Sequence, residues 1–230
     1  MGWIIDLYRS PLIKKAVMAV SGLALFGFVL FHMLGNLKLY QGPEKLNSYA
    51  EGLREFGAPF LAHGQFLWIA RSGLLVMVIL HIWSAWQLTL VNRRARPAGY
   101  AKEQHQKSTY ASRTMRWGGV IIAFFVVYHL LHLTTGTVHS DFVAGDVFHN
   151  LVVGFSHPLV SAFYILANLA LGLHLYHGLW SLFQSLGISG PRFDRIRKQV
   201  ALAFAVIVSA ANISFPVAVL TGVVRLGGGA

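Results

Sequence analysis

Six histidines stand inside apolar stretches of this 230-residue chain: His32, His81, His129, His132, His174 and His177. The last two lie in the segment GLHLYHGLWS, within a run from Pro158 to Gly190 that holds no Asp, Glu, Lys or Arg. A neutral imidazole in such surroundings can pass a proton between hydrogen-bonded partners. It can also give one ring nitrogen to a metal while the other ring N–H finds an acceptor. A single buried histidine is ordinarily a packing or hydrogen-bonding residue. Four segments that each contribute at least one point to a function, because an ionisable group in hydrocarbon is costly.

Depth sorts these histidines into pairs. His32 stands four residues before Asn36 and His129 six before Thr135, near one end of their segments. His81 follows Gln65 by 16 residues and His174 follows Pro158 by 16, toward the opposite end. A difference of about 10 residues at about 1.5 Å of helical rise separates the two layers by about 15 Å. Two imidazoles per layer, drawn from alternating helices, is the arrangement that holds two bis-histidine haems stacked through a four-helix bundle. His132 and His177 lie one turn from His129 and His174, so spacing alone leaves the ligand choice open; each could instead hydrogen-bond a haem carboxylate or face a polar connection. The chain has no cysteine, so it offers no CxxCH attachment and no thiolates for an iron–sulfur cluster. Haem held here would be of the b type, and any cluster would belong to a partner.

Arg71 lies ten residues before His81, level with the outer histidine layer, and no carboxylate occurs within any of the apolar segments. A haem propionate would satisfy it; snorkelling to the outer interface is the alternative. Gly22, Gly27, Gly118, Gly119, Gly172 and Gly178 would admit a flat macrocycle or a neighbouring helix. Trp83, Trp86 and Trp180 read as interface or packing aromatics.

The elements that must position these groups follow from composition. Hydrophobic residues make up 55% of the chain and charged ones 12%, and mean hydropathy is +0.57. This is an all-α integral membrane protein, a single transmembrane bundle over 1–230, rather than a soluble domain. Five spans are expected, at about 16–36, 66–91, 117–137, 158–186 and 200–223. The first reads as an uncleaved span. The net charge of +11 could suggest nucleic acid, but its distribution does not: 14 of the 19 Lys and Arg fall before span one and in the connections after spans two and four. That asymmetry puts the N-terminus in the cytoplasm and the C-terminus outside, with a basic inner surface for acidic lipid or a docked subunit. On the outer side, EKLNSYAEGLREFG reads as an interfacial helix and DFVAGDVFHNLVVGF as a second short one, with His139, His149 and His157 as surface residues. No internal repeat is evident.

These residues resemble the cytochrome b membrane-anchor subunits of succinate dehydrogenase and fumarate reductase, in the five-helix, two-haem branch. The resemblance spans nearly the whole chain and is carried by GLALFGFVLFHMLGNL, VILHIW, RWGGVIIAFFVVYH and GLHLYHGLWSLFQSLG. The family ligand precedes Gly-Leu-Trp-Ser by three intervening residues, which implies His174 rather than His177; the third-span pattern likewise implies His129. The family pairs spans one with three and two with four, so His32 and His129 would bind the outer haem iron, and His81 and His174 the inner. The resemblance further implies two haem b, a respiratory complex II of the tricarboxylic acid cycle in the cell inner membrane, and no succinate chemistry in this chain. FAD and iron–sulfur clusters would reside in partner flavoprotein and iron–sulfur subunits, and electrons would pass to menaquinone or ubiquinone. Outer candidates for a quinone site are Glu51, His63, Gln65, Trp68 and Arg71; inner ones are Trp3, Tyr8, Arg9, Ser10 and Lys14. With no carboxylate in any span to carry protons from the cytoplasm, an outer site near His32, His63 and Arg71 would make the reaction sensitive to membrane potential. The competing readings are a cytochrome b anchor of a hydrogenase or formate dehydrogenase type, and a haem-free transporter that uses the histidines for protons or metal.

Overall fold

The structure, a computed structural model, describes residues 10–94, 110–185 and 190–227, and of residues 110–114 and 191–192 the backbone alone. Trp3, Tyr8, Arg9, Arg96, Lys102 and Lys107, and the side chains of Arg113 and Arg192, lie outside the described residues. Among those residues all regular structure is helical: α1 (Pro11–Asn36), a 3-10 turn (Leu37–Gln41), α2 (Pro43–Glu55), α3 (Gln65–Arg94), α4 (Tyr110–Leu133), α5 (Val147–Ser156), α6 (Pro158–Ser185) and α7 (Pro191–Leu220). Of these, α1, α3, α4, α6 and α7 are long and apolar enough to cross a membrane.

Local chemistry sets most of the ends. Ser10 caps α1 by accepting from the Leu12 amide at 3.3 Å, and Pro11 supplies a first-turn residue with no N–H to satisfy. Asp146 caps α5 by accepting from the His149 amide at 2.9 Å. The third span stops at Leu133, short of the expected 137. Gly136 turns the chain at φ 73°, and the hydroxyls of Thr135 and Thr137 both donate to the Leu131 carbonyl at 3.3 Å, closing the helix end. Helices α1 and α7 begin earlier than the expected 16 and 200 because their first turns are helical but charged. Lys14 and Lys15 belong to α1, and Asp194 pairs with Arg197 one turn along α7. Hydropathy marks where apolar sequence begins, not where hydrogen bonding begins.

The architecture is two hairpins and a seventh helix. α1 packs along α3, and α4 packs along α6, each hairpin being joined at the same end of the bundle by a connection that carries a short helix. α7 packs along the outer side of α6, where Ser209 lies against Gly172 closely enough that any Cβ there would clash at 2.4 Å. Between the hairpins, contact is sparse. The connections form a cap over one end: Leu39, Leu46, Phe148, Leu151, Val152 and Phe155 are buried with Tyr164 and the last turn of α7. Asn47 of α2 ties the cap to α5, donating to Asp146 at 2.9 Å and accepting from the Phe148 amide at 3.0 Å. The α5 segment is therefore embedded and not merely interfacial. By contrast Leu12, Phe31, Phe124 and Leu166 are each more than half exposed on the helix exteriors, surface that hydrocarbon would cover.

Candidate cofactor site

Two histidine pairs bridge the sparse zone between the hairpins. His32 of α1 and His129 of α4 have ring centroids 5.8 Å apart, and His81 of α3 and His174 of α6 have centroids 6.2 Å apart. At these separations the imidazoles of each pair stand close enough that they would hold one haem iron between them. Gly27 and Gly73 have nothing within 4 Å of where a Cβ would stand.

The far-end pair is fixed in the same way on both sides. His81 lies against Gly22 of α1, whose Cβ would stand 3.4 Å from Cε1 of the ring; His174 lies against Gly119 of α4, at 3.6 Å from the same atom. Ser21 donates to the Val17 carbonyl at 2.7 Å, so its oxygen is left to accept from His81 Nδ1–H at 3.4 Å, which leaves Nε2 as the free nitrogen. His174 Nδ1 is buried with no hydrogen-bond partner among the described residues.

These matching contacts expose a repeat that the sequence reading missed. MAVSGLALFGFVLFH (18–32) and MRWGGVIIAFFVVYH (115–129) align without gaps, bringing Met18 onto Met115, Gly22 onto Gly119, Phe28 onto Phe125 and His32 onto His129. The structural roles agree. Phe28 packs on His32 at 5.3 Å and Phe125 on His129 at 5.8 Å. His81 and His174 are likewise equivalent positions on α3 and α6. Each pair thus joins repeat mates. From Gly22 to His32 and from Gly119 to His129 is ten residues, so both repeats separate the layers by about 15 Å. The signal was legible as a pattern, Met-x3-Gly-x9-His, but too degenerate to catch without the contacts.

The remaining histidines take other positions. His132 is 2% exposed and points away from the inter-hairpin zone into the cap, where it stacks on Tyr128 at 5.4 Å and on His139 at 4.8 Å. Gly154 of α5 presses on it so closely that a Cβ would stand 2.7 Å from Cε1. His139 is therefore not simply a surface residue. Its Nε2–H donates to the Asn150 carbonyl at 2.9 Å and its Nδ1 accepts from the Asp141 amide at 3.0 Å, which fixes the tautomer. His149 meets Asp141 at 3.1 Å, and His157 is exposed beside Ser140. His177 packs edge-on against Trp180 at 5.6 Å, with its Nδ1 buried and unbonded. Trp180 is in turn overlaid by the cations of Arg197 and Lys198, so it is a meeting point of α6 and α7 and not a lone interface aromatic.

The two remaining candidates, Arg71 and His63, have separate surroundings. Arg71 is exposed and lies over Trp68 at 5.3 Å, with no carboxylate paired to it among the described residues. His63, 63% exposed, meets Glu51 at 2.8 Å, and Glu51 also holds Arg54 at 3.2 Å. The hydrogen bond from His63, then the charges of Arg54 and His63, hold the Glu51 carboxyl below its ordinary range. Gln65 accepts from the Ala62 amide at 3.0 Å, so the loop into α3 is braced by these contacts.

Residues 91–212, more than half of the chain, match the family described as the succinate dehydrogenase/fumarate reductase transmembrane subunit. The chain belongs to that family. It is a multi-pass membrane subunit of an enzyme complex, and membership implies association with the complex's other subunits. The match covers α4, α5, α6 and most of α7, and so includes His129, His132, His174 and His177. His32 and His81 fall outside it and rest on the repeat and on ring geometry; His63 and Arg71 also fall outside it. No curated protein and no solved structure matches the chain.

Proposed function

We propose that the chain is the di-haem cytochrome b anchor of a succinate:quinone oxidoreductase, passing electrons between an iron–sulfur subunit and membrane quinone. The observation that carries this reading is the pair of cross-hairpin histidine couples, each made of repeat mates and each with rings close enough that they would hold one haem iron between them. When bound, the two haems would supply one-electron relay centres at two depths. His32 and His129 would hold the group near the cap, and His81 and His174 the group at the far end. Ser21 keeps the His81 proton on Nδ1, and Gly22 and Gly119 let the helix backbones approach the far-end rings.

The distribution of Lys and Arg supports an orientation with the cap outside and the far end facing the cytoplasm, as expected in a cell inner membrane. This chain has no cysteine to hold iron–sulfur clusters, which would belong to a partner iron–sulfur subunit, with FAD in a partner flavoprotein. Arg71, with no carboxylate partner among the described residues, is the cation suited to a haem propionate or a quinone at the cap end, with His63 on the same rim. Menaquinone and ubiquinone are both compatible with these groups.

Pyridine haemochrome analysis of the purified complex tests the reading. Two haem b per chain are expected, falling to one in His32→Ala or His129→Ala and to one, with the other redox component lost, in His81→Ala or His174→Ala. A ratio of one or none in the intact wild-type complex overturns it.

A further inference from the structure

Tyr164 is 4% exposed, and its hydroxyl stands 3.3 Å from His129 Nδ1 and 3.0 Å from His132 Nδ1. A phenol has one proton to give, so it can donate to only one of these nitrogens and must accept from the other. If His129 is to present Nε2 toward His32, its proton sits on Nδ1 and is donated to the phenol oxygen. The phenol proton then goes to His132 Nδ1, and His132 keeps its own proton on Nε2. The three groups have one self-consistent order, running from the inter-hairpin zone into the cap.

The far end of this chain of bonds is held rigidly. His132 is sandwiched between Tyr128 and His139 and pressed by the backbone of α5 at Gly154, so it cannot swing away from Tyr164. Tyr164 itself is packed edge-on by Phe125 at 5.0 Å and Phe155 at 4.9 Å. On the other hairpin the equivalent position, ten residues before His81, is Arg71, which lies over Trp68. The two cap-end histidines are therefore repeat mates in unlike surroundings.

We infer that Tyr164, backed by His132, is a positioning residue that fixes the tautomer and ring orientation of His129. The inference rests on the haem reading above. An acceptor on the Nδ1–H of a ligating imidazole raises its basicity and favours the oxidised metal. Removing it should raise the midpoint potential of the cap-end haem and change its ring orientation, while the far-end haem serves as an internal control.

The test uses the detergent-solubilised complex, with redox titration followed by optical and low-temperature electron paramagnetic resonance spectroscopy. Tyr164→Phe is expected to keep both haems, shift one low-spin signal and raise the potential of that component only. Gly154→Ala, whose Cβ would stand 2.7 Å from His132 Cε1 and 3.2 Å from His139 Nε2, should move the same signal in the same direction by less. Both haems unchanged in signal and potential in Tyr164→Phe would overturn the inference, as would a shift confined to the component lost in His81→Ala. If Tyr164→Phe loses the cap-end haem, Gly154→Ala decides: an unmoved signal there also overturns it. A wild-type complex without haem would refute the haem reading instead, so the two failures are distinguishable.

Discussion

Replacing Asn47 by Ala removes the bridge that joins α2 to the first turn of α5, across 99 and 101 residues of sequence. Two bonds are lost. The hydrogen bond to the Asp146 carboxylate contributes about 1.5–3 kcal/mol, as bonds to charged groups do, and the Phe148 amide, at the start of α5 on a 4% exposed residue, is left without its acceptor at a cost of about 1–3 kcal/mol. Because the site is only part-buried and water can replace some of this, a net loss of about 2–4 kcal/mol is expected. Local opening of α5 should then become roughly 30- to 700-fold more frequent, since each 1.4 kcal/mol is about tenfold. Amide hydrogen exchange of residues 147–156 in the solubilised complex reads this directly. Protection of α5 within threefold of wild type would refute the claim that Asn47 holds the cap. Asn47→Asp sharpens the argument, because it keeps an acceptor for Phe148 but sets a second carboxylate against Asp146. The His149 amide, and then Asn47, hold the Asp146 carboxyl below its ordinary value of 3.8. A lowered folded-state value means the stabilisation is present at neutral pH and is lost as pH falls through that value; in Asn47→Ala this acid-labile part should be smaller.

Gly22→Ala and Gly119→Ala should be tolerated, since a Cβ meets His81 or His174 at 3.4 Å or 3.6 Å. Valine at either position overpacks by about 1–3 kcal/mol and should lower the occupancy of one haem, measured by haemochrome ratio; full occupancy in both valine variants would contradict the contact. Gly27→Ala, facing open space, is predicted to leave helix packing unchanged by thermal unfolding of the complex. His132→Ala and His177→Ala should each keep two haems, because among the described residues neither ring pairs with a histidine across the hairpins; loss of one in His177→Ala with retention in His174→Ala would reverse the far-end assignment. The Glu51–His63 contact steadies the loop before α3 above the ordinary carboxylate value of 4.5 and is lost as pH falls through the lowered folded value. Exchange protection of that loop should therefore lose its acid dependence in Glu51→Gln, and the wild-type effect should shrink with added salt.

Periodicity and charge were enough to give five spans, because a run of about 20 apolar residues has few soluble alternatives and the histidines in it stand out against hydrocarbon. Depth along each helix was also legible, since helical rise is constant: the ten-residue interval that separates His32 from the level of His81 recurs between Gly119 and His129. The helix ends were less so, because Lys14, Lys15 and Asp194 are helical by hydrogen bonding while hydropathy sees only charge. What the tertiary structure decided is rotation about each helix axis. Histidines three residues apart differ by only about 4.5 Å in depth, and the packing of α5 against α4 turns His132 into the cap while His129 faces His32. The same packing brings Tyr164, an unremarkable aromatic in the sequence, within hydrogen-bonding distance of both rings. Sequence spacing fixes position along a helix, but the face a residue presents to a partner depends on where neighbouring helices lie, and that is a property of the assembled bundle.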